Sequence, residues 1–188
     1  GVSNKTIEHF QLGWASDEWG AIRKLLKDNG FTDAEGLAVG VLAESDRGSP
    51  PYDRFRGRII FPILDNRENL VGLGGRILGD GEPKYLNSPQ TKLFDKGNIL
   101  YGLNDAAKPA KESGVIILVE GYFDVISAWQ AGFMNVVATM GTSLTEMHSR
   151  VLSRSVNKII LALDPDIAGQ NAIERAGQLV LNMSTEKD

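Results

Sequence analysis

The spacing of apolar residues changes period along the chain. Residues 3–12 and 17–29 carry helical spacing, with Trp19, Ile22, Leu25 and Leu26 on one face of the second segment. Ser3 and Asp17 stand where N-caps belong, and Gly30 stands where a helix would stop. The tryptophans Trp14, Trp19 and Trp129 read as core residues. Residues 31–56 are less regular and run into "GSPPYDRFRG", a stretch of loop chemistry. Two apolar runs then flank Asp65-Asn66-Arg67-Glu68-Asn69, which predicts a β-hairpin. Pro62 argues that its first strand is an edge or holds a bulge. Gly72, Gly74 and Gly75 let the second strand bend or admit a close neighbour. Their spacing is not that of a dinucleotide-binding loop. Residues 79–98 read as irregular and polar.

From Val115 the pattern alternates between element types. "VIILVE" is a continuous apolar run, as in a strand buried on both faces. "YFDVISAWQAG" follows as a helix stopped at Gly132, and "NVVATMG" as a second strand. "SLTEMHSRVLSRS" is a helix capped by Thr142 or Ser143. "KIILAL" and "IAGQNAIERAGQLVLNM" supply a third strand and a third helix. Three strand–helix pairs in succession predict an α/β fold built on a parallel sheet with right-handed crossovers.

Composition bounds the function. No apolar stretch approaches the roughly 20 residues that cross a bilayer, and no signal peptide is visible. Cysteine is absent from the 188 residues, which excludes disulfides and thiolate zinc sites within this chain and suits a cytoplasmic protein. The net charge of −4 argues against indiscriminate binding to phosphate backbones. Its distribution is uneven: residues 47–111 hold eleven Lys/Arg against seven Asp/Glu, whereas each flank nets −4. A basic middle beside acidic ends suits a protein that grips a polyanion with one part and cations with another.

Parallel sheets of this type place functional groups at the carboxyl ends of their strands. The first such end here is Glu120-Gly121, with Asp124 four residues beyond Glu120. The second is Gly141-Thr142, and the third is Asp164-Pro165-Asp166. Converging carboxylates repel, and a hard divalent cation such as Mg²⁺ or Mn²⁺ resolves the conflict. Asp164 and Asp166, roughly 6.6 Å apart along extended chain, would share a face. A turn with a helix cap is the simpler reading of that pair, and Asp124 alone reads equally well as a cap. In the basic middle, Arg56, Arg58, Arg76, Lys84, Lys92 and Lys96 mix with Tyr52, Phe55, Tyr85 and Phe94. Cations among aromatics suit phosphate pairing and base stacking on single strands. His9 and His148, alone on helices, read as structural or exposed.

Glu120-Gly121 after one apolar strand, with Asp164-x-Asp166-x-Ala168-Gly169 after another, resembles the Toprim domain of primases, topoisomerases and some nucleases. The segment "RGRIIFPILDNRENLVGLGGRILGDGEPKYLNSPQTKLFDKGNILYGL" resembles the amino-terminal half of the polymerase core of bacterial replicative DNA primases. "PKYLNSP", "F-x-KG", "LYGL", "EGYFDVISAWQAG", "ATMGTSLT" and the opening "GVSNKTIEHFQLGWA" carry the same resemblance across nearly the whole chain. It implies an α+β amino-terminal basic subdomain over residues 1–113 and a Toprim domain, incomplete at its carboxyl end, over residues 114–188. The chain then reads as a fragment, since that family has further acidic residues beyond the third helix. Where the family commonly has glycine between the two aspartates, this sequence has Pro165.

The resemblance implies that Glu120, Asp164 and Asp166 hold catalytic Mg²⁺ or Mn²⁺, with Asp124 in support. It implies that Arg76, Lys84, Asn87 and Lys96 line a nucleotide and template groove, joined by Arg58, Tyr85 and Ser88, with Gly141 and Thr142 near the metals. The activity implied is primer synthesis by nucleotidyl transfer: RNA made from ribonucleoside triphosphates on single-stranded DNA. A replicative helicase would be met through a domain absent from this chain, in the bacterial cytoplasm at the replication fork. Three alternatives remain at this point. They are a Toprim nuclease or topoisomerase that cleaves phosphodiesters, a non-catalytic nucleic-acid-binding module, and a receiver-like phosphoacceptor domain.

Overall fold

The expected hairpin forms. Strands β4 (Arg58–Leu64) and β5 (Leu70–Ile77) are neighbours in one sheet, and the Asp65 carboxylate accepts from the Arg67 and Asn69 main-chain N–H groups at 2.8 and 2.9 Å to close the turn. This is a computed structural model, and it describes residues 1–45, 48–141, 143–153 and 156–164. Two compact units emerge, one of Ile7–Ile63 with Leu70–Asp95, the other of Gly1–Thr6, Leu64–Asn69 and the chain from Lys96.

In the first unit, β1 (Gly13–Ala15) and β6 (Tyr85–Asn87) extend the hairpin to a four-stranded sheet in the order β1-β4-β5-β6. Among the described residues β1 pairs with β4 only over Arg58–Ile60. Pro62 therefore falls where β4 has lost that neighbour, in keeping with an edge. The hairpin glycines make room for side chains. A Cβ on Gly72 would lie 3.0 Å from the Phe94 ring, and one on Gly75 would lie 2.9 Å from Phe55. Phe55, Phe61, Ile63 and Phe94 are buried.

Helix α1 (Asn4–His9) begins at its expected cap but is shorter than the sequence suggests, whereas α2 (Ala21–Asp28) ends as the sequence suggests but begins differently. In α1, Ser3 Oγ accepts from the Thr6 N–H at 3.2 Å, as an N-cap should. In α2, the Gly30 N–H reaches Lys27 O at 3.0 Å and Phe31 N–H reaches Leu26 O at 2.9 Å, a Schellman stop. Asp17 does not cap α2. Its first turn is held from elsewhere: Asp53, fully buried on β3 (Tyr52–Asp53), accepts from the Ile22 and Arg23 N–H groups at 2.8 and 2.9 Å. Trp19 precedes the helix and is 74% exposed, and Trp14 is 55% exposed, so neither is the core residue expected. The stretch expected to be irregular holds α3 (Asp33–Ala38) and a ribbon of β2 (Leu42–Ala43) with β3.

The second unit carries α4 (Leu103–Ser113), β7 (Val115–Val119), α5 (Tyr122–Gln130), β8 (Val136–Ala138), α6 (Glu146–Ser153) and β9 (Lys158–Leu161). Its three strands are parallel in the order β8-β7-β9. Leu100, Leu103, Ala106, Ala110, Ile116, Leu118, Val137 and Leu152 form the core between sheet and helices. Gly132 ends α5 at φ +94, with Phe133 N–H on Ala128 O at 2.9 Å. The cap of α6 is Thr145 rather than Ser143, since Thr145 Oγ1 accepts from the His148 N–H at 3.1 Å. The predicted third helix, with Thr142, Pro165 and Asp166, lies outside the described residues. No described helix is long and apolar enough to cross a membrane. Parallel and antiparallel sheets flanked by helices make this a mixed α/β protein, as the alternating pattern predicts.

Candidate functional site

Strand register brings two of the predicted carboxylate residues together. β7 and β9 pair in parallel with Leu118 opposite Leu161, and the ladder continues from the Ala162 N–H to Leu118 O at 2.9 Å. Both strands therefore end level. Glu120, one residue past β7, receives the Asp164 main-chain N–H on Oε1 at 2.9 Å. That bond fixes the Glu120 carboxylate against the segment that carries Asp164. Among the described residues no group of three or more His, Cys, Asp or Glu is clustered as a complete metal site. Asp166, the third expected ligand, lies outside them. An all-oxygen donor set of this kind fits a hard divalent cation.

Asp124 has a definite local task. Its Oδ2 accepts from the Gly121 N–H at 3.0 Å, capping α5 and fixing the turn that leaves Glu120. At the end of β8 the chain takes two successive left-handed residues, Met140 at φ +60 and Gly141 at φ +78. Gly141 holds this conformation without strain, whereas Met140 costs about 1–2 kcal/mol and is held by its burial.

A second constellation forms in the first unit. β5 and β6 pair Arg76 with Tyr85 and Gly74 with Asn87. Alternation along each strand puts Arg76, Tyr85 and Asn87 on one face, with the Arg76 guanidinium 5.7 Å from the Tyr85 ring centre. Lys84, the chain neighbour of Tyr85, is exposed. Two other predicted residues serve as framework. Buried Arg58 donates from Nη1 to Pro83 O at 2.8 Å and Lys84 O at 3.4 Å. Its burial, with Arg56 nearby, lowers its pKa from the usual guanidinium value. Ser88, also buried, exchanges two bonds with Leu73: Ser88 N–H to Leu73 O at 2.8 Å, and Leu73 N–H to Ser88 Oγ at 2.9 Å. Arg54 joins this framework by donating Nε and Nη2 to Asn87 O at 3.1 and 3.0 Å. Lys96 opens a turn at residues 96–98, in the unit of the parallel sheet.

One cluster is only partly foreshadowed by the sequence. Arg56 lies over the Trp19 ring at 3.6 Å and 5.9 Å from Tyr52, and the two rings are 6.3 Å apart. Arg56 Nη1 also donates to Asp53 O at 2.8 Å. Arg56 and Tyr52 stand out among the cations and aromatics of the basic middle, but nothing in the sequence distinguishes Trp19 from a core tryptophan. Phe55 and Phe94, grouped with them in the sequence, are core residues and present no stacking face.

Two family models match, the DNA primase catalytic core N-terminal domain over residues 1–107 and the Toprim domain over residues 114–186. The DNA primase of Clostridium acetobutylicum is 45% identical over 175 residues, which are 93% of this chain and 29% of that protein. The Escherichia coli DNA primase is 40% identical over 186 residues, 99% of this chain and 32% of that protein. This chain thus spans about a third of the length of the curated relatives it matches. Among solved structures, a DNA primase domain from Pseudomonas aeruginosa superposes with a TM-score of 0.89 at 42% identity, covering 96% of this chain and 56% of that one. A primase catalytic domain bound to single-stranded DNA gives a TM-score of 0.85 at 41% identity, covering 94% and 55%. Toprim domains and primase cores use divalent metals in general, which agrees with the carboxylate edge. With the basic β5–β6 face, the Glu120–Asp164 edge and both family signatures in one polypeptide, the chain belongs to the bacterial DNA primase family, as part of its catalytic core.

Proposed function

We propose that this chain is part of a DNA-dependent RNA polymerase that makes short RNA primers on single-stranded DNA. The observation that carries the proposal is the hydrogen bond from Asp164 N–H to Glu120 Oε1, which brings two acidic residues to one end of a parallel sheet. Glu120, Asp164 and Asp166 would hold Mg²⁺ or Mn²⁺, whose chemistry there is to activate the primer 3′-hydroxyl and neutralise charge on the phosphates. Asp124 supports them by holding the turn after Glu120, and the left-handed turn at Gly141 follows the neighbouring strand β8, with Thr142 joining it as the next residue in sequence.

The first unit supplies the nucleic-acid contacts, and Lys96 of the second unit meets the nucleotide. Arg76 and Lys84 neutralise phosphate, Tyr85 stacks on a base, and Asn87 donates and accepts hydrogen bonds. Arg58 and Ser88 act behind them by fixing β6. Arg56, Trp19 and Tyr52 form a second stacking surface suited to an unpaired base beside a phosphate. Lys96 pairs with the triphosphate of the incoming nucleotide. The relative solved with single-stranded DNA supports that template class. We place the functional division between residues 113 and 114. A replicative helicase partner and a site of action at the bacterial replication fork belong to the same proposal.

Product analysis tests the reading. The polypeptide that carries these residues, given single-stranded DNA, Mg²⁺ and ribonucleoside triphosphates, should yield short RNA, and Glu120→Gln should abolish it. DNA cleavage without RNA synthesis would favour a Toprim nuclease instead. Binding to DNA with neither product would favour a non-catalytic module.

A further inference from the structure

Lys96 has no regular element of its own to hold it. Residues 96–98 form a turn, yet the segment that follows is stitched to the parallel-sheet unit at successive points. The Thr145 hydroxyl donates to Gly97 O at 2.6 Å. Leu100 is buried in the core of that unit. Tyr101 and Ala138 exchange main-chain hydrogen bonds at 2.9 and 3.1 Å. The Thr145 contact falls on the carbonyl immediately after Lys96, and it joins residues 48 apart in sequence.

Thr145 is itself held firmly. It is the N-cap of α6, where its Oγ1 accepts from the His148 N–H at 3.1 Å while its own N–H points to His148 Nδ1 at 3.4 Å. His148 is fully buried on the same helix. One hydroxyl thus accepts from the helix and donates to the Lys96–Gly97 segment, so its proton has a single available direction. A small displacement of a charged group near reacting phosphates has a large effect on rate or affinity.

We propose that Thr145, braced by His148, is a positioning residue that sets where Lys96 stands within the unit that carries Glu120 and Asp164. This rests on the reading above, in which Lys96 meets the triphosphate. Thr145 touches no substrate itself.

Three substitutions in the full polypeptide separate the two roles of this hydroxyl. Thr145→Ser keeps both the cap and the bond to Gly97. Thr145→Asp keeps an oxygen to cap α6 but cannot donate to a carbonyl. Thr145→Val loses both. Primer synthesis on single-stranded DNA should show Thr145→Ser close to wild type. Thr145→Asp and Thr145→Val should both raise KM for ribonucleoside triphosphate by about tenfold, with kcat changed much less. Amide hydrogen exchange at Gly97 and Asn98 should quicken in the same two variants. Wild-type KM in Thr145→Asp would overturn the proposal, leaving Thr145 a helix cap only. So would a Thr145→Ser variant as impaired as Thr145→Val, or unchanged exchange in Thr145→Val. If the wild type made no RNA, the proposed function would fail, and the exchange measurement would still decide the tether.

Discussion

A guanidinium that donates to two main-chain carbonyls, as Arg58 does to Pro83 and Lys84, has spent its hydrogen bonds on the protein. Arg76, on the other strand of the same hairpin, instead shares a face with Tyr85 and Asn87. Equal charge in sequence has become framework in one case and, in the other, a guanidinium beside an aromatic ring, the arrangement proposed above to meet nucleic acid. Arg58→Met keeps the apolar stem but leaves the two carbonyls without their donor. It should lower stability by about 1–3 kcal/mol, seen as a lower urea midpoint. Trp19→Ala should do the reverse. Trp19 is 74% exposed, so stability should stay within about 0.5 kcal/mol. Its loss should weaken single-stranded DNA binding by about 1–3 kcal/mol if one base stacks there, measured by anisotropy of a labelled oligonucleotide. Unchanged affinity would remove the Arg56–Trp19–Tyr52 surface from the account. The cations are legible in the sequence as a group, but their division of labour is not. That division depends on which carbonyls the fold turns toward each arginine, and composition carries no such information.

The elements show where local pattern suffices. The three strands of the parallel sheet are continuous apolar runs, and the point where two of those runs stop is enough to single out Glu120 and Asp164. Gly30 and Gly132 are readable stops because a left-handed residue closes a helix most cheaply as glycine. The N-terminus of α2 is not readable, because Asp53 caps it from a strand that lies distant in sequence. Strand β6 is three residues between prolines, too short to show a period. Helix α4 carries Pro109 in its interior, which argues locally against a helix and is overridden by the burial of Leu103, Ala106 and Ala110. The unexpected helix α3 does have a signal: Thr32 and Glu35 form a capping box.

Helices α2 and α3 are also joined by Arg23, which donates Nε and Nη2 to the two Asp33 oxygens at 2.8 and 2.6 Å. The hydrogen bonds from Arg23, with its charge, lower the Asp33 pKa below the usual 3.8. The folded value is therefore below the unfolded one. The contribution of this carboxylate is complete above about pH 4 and is lost as pH falls through the lowered folded value. Asp33→Asn should flatten the loss of stability on acidification, measured by urea unfolding between about pH 5 and pH 2. An acid profile identical to wild type would show that Asp33 is not part of that linkage.

For the whole molecule, charge and fold agree on a division of labour. The net +4 of residues 47–111 includes the cations of the β5–β6 hairpin, and the acidic carboxyl-terminal segment holds the Glu120–Asp164 edge. A chain of net charge −4 can therefore bind a polyanion locally without doing so everywhere. The central claim is that the carboxylate edge binds a divalent cation. The most direct test is calorimetric titration of Mn²⁺ into this chain and into Glu120→Gln, each with and without ATP. The account predicts binding by the wild type that is weakened at least about tenfold in Glu120→Gln, about 1.4 kcal/mol. Equal binding by both proteins would contradict it, for the Glu120 carboxylate would then not be a ligand.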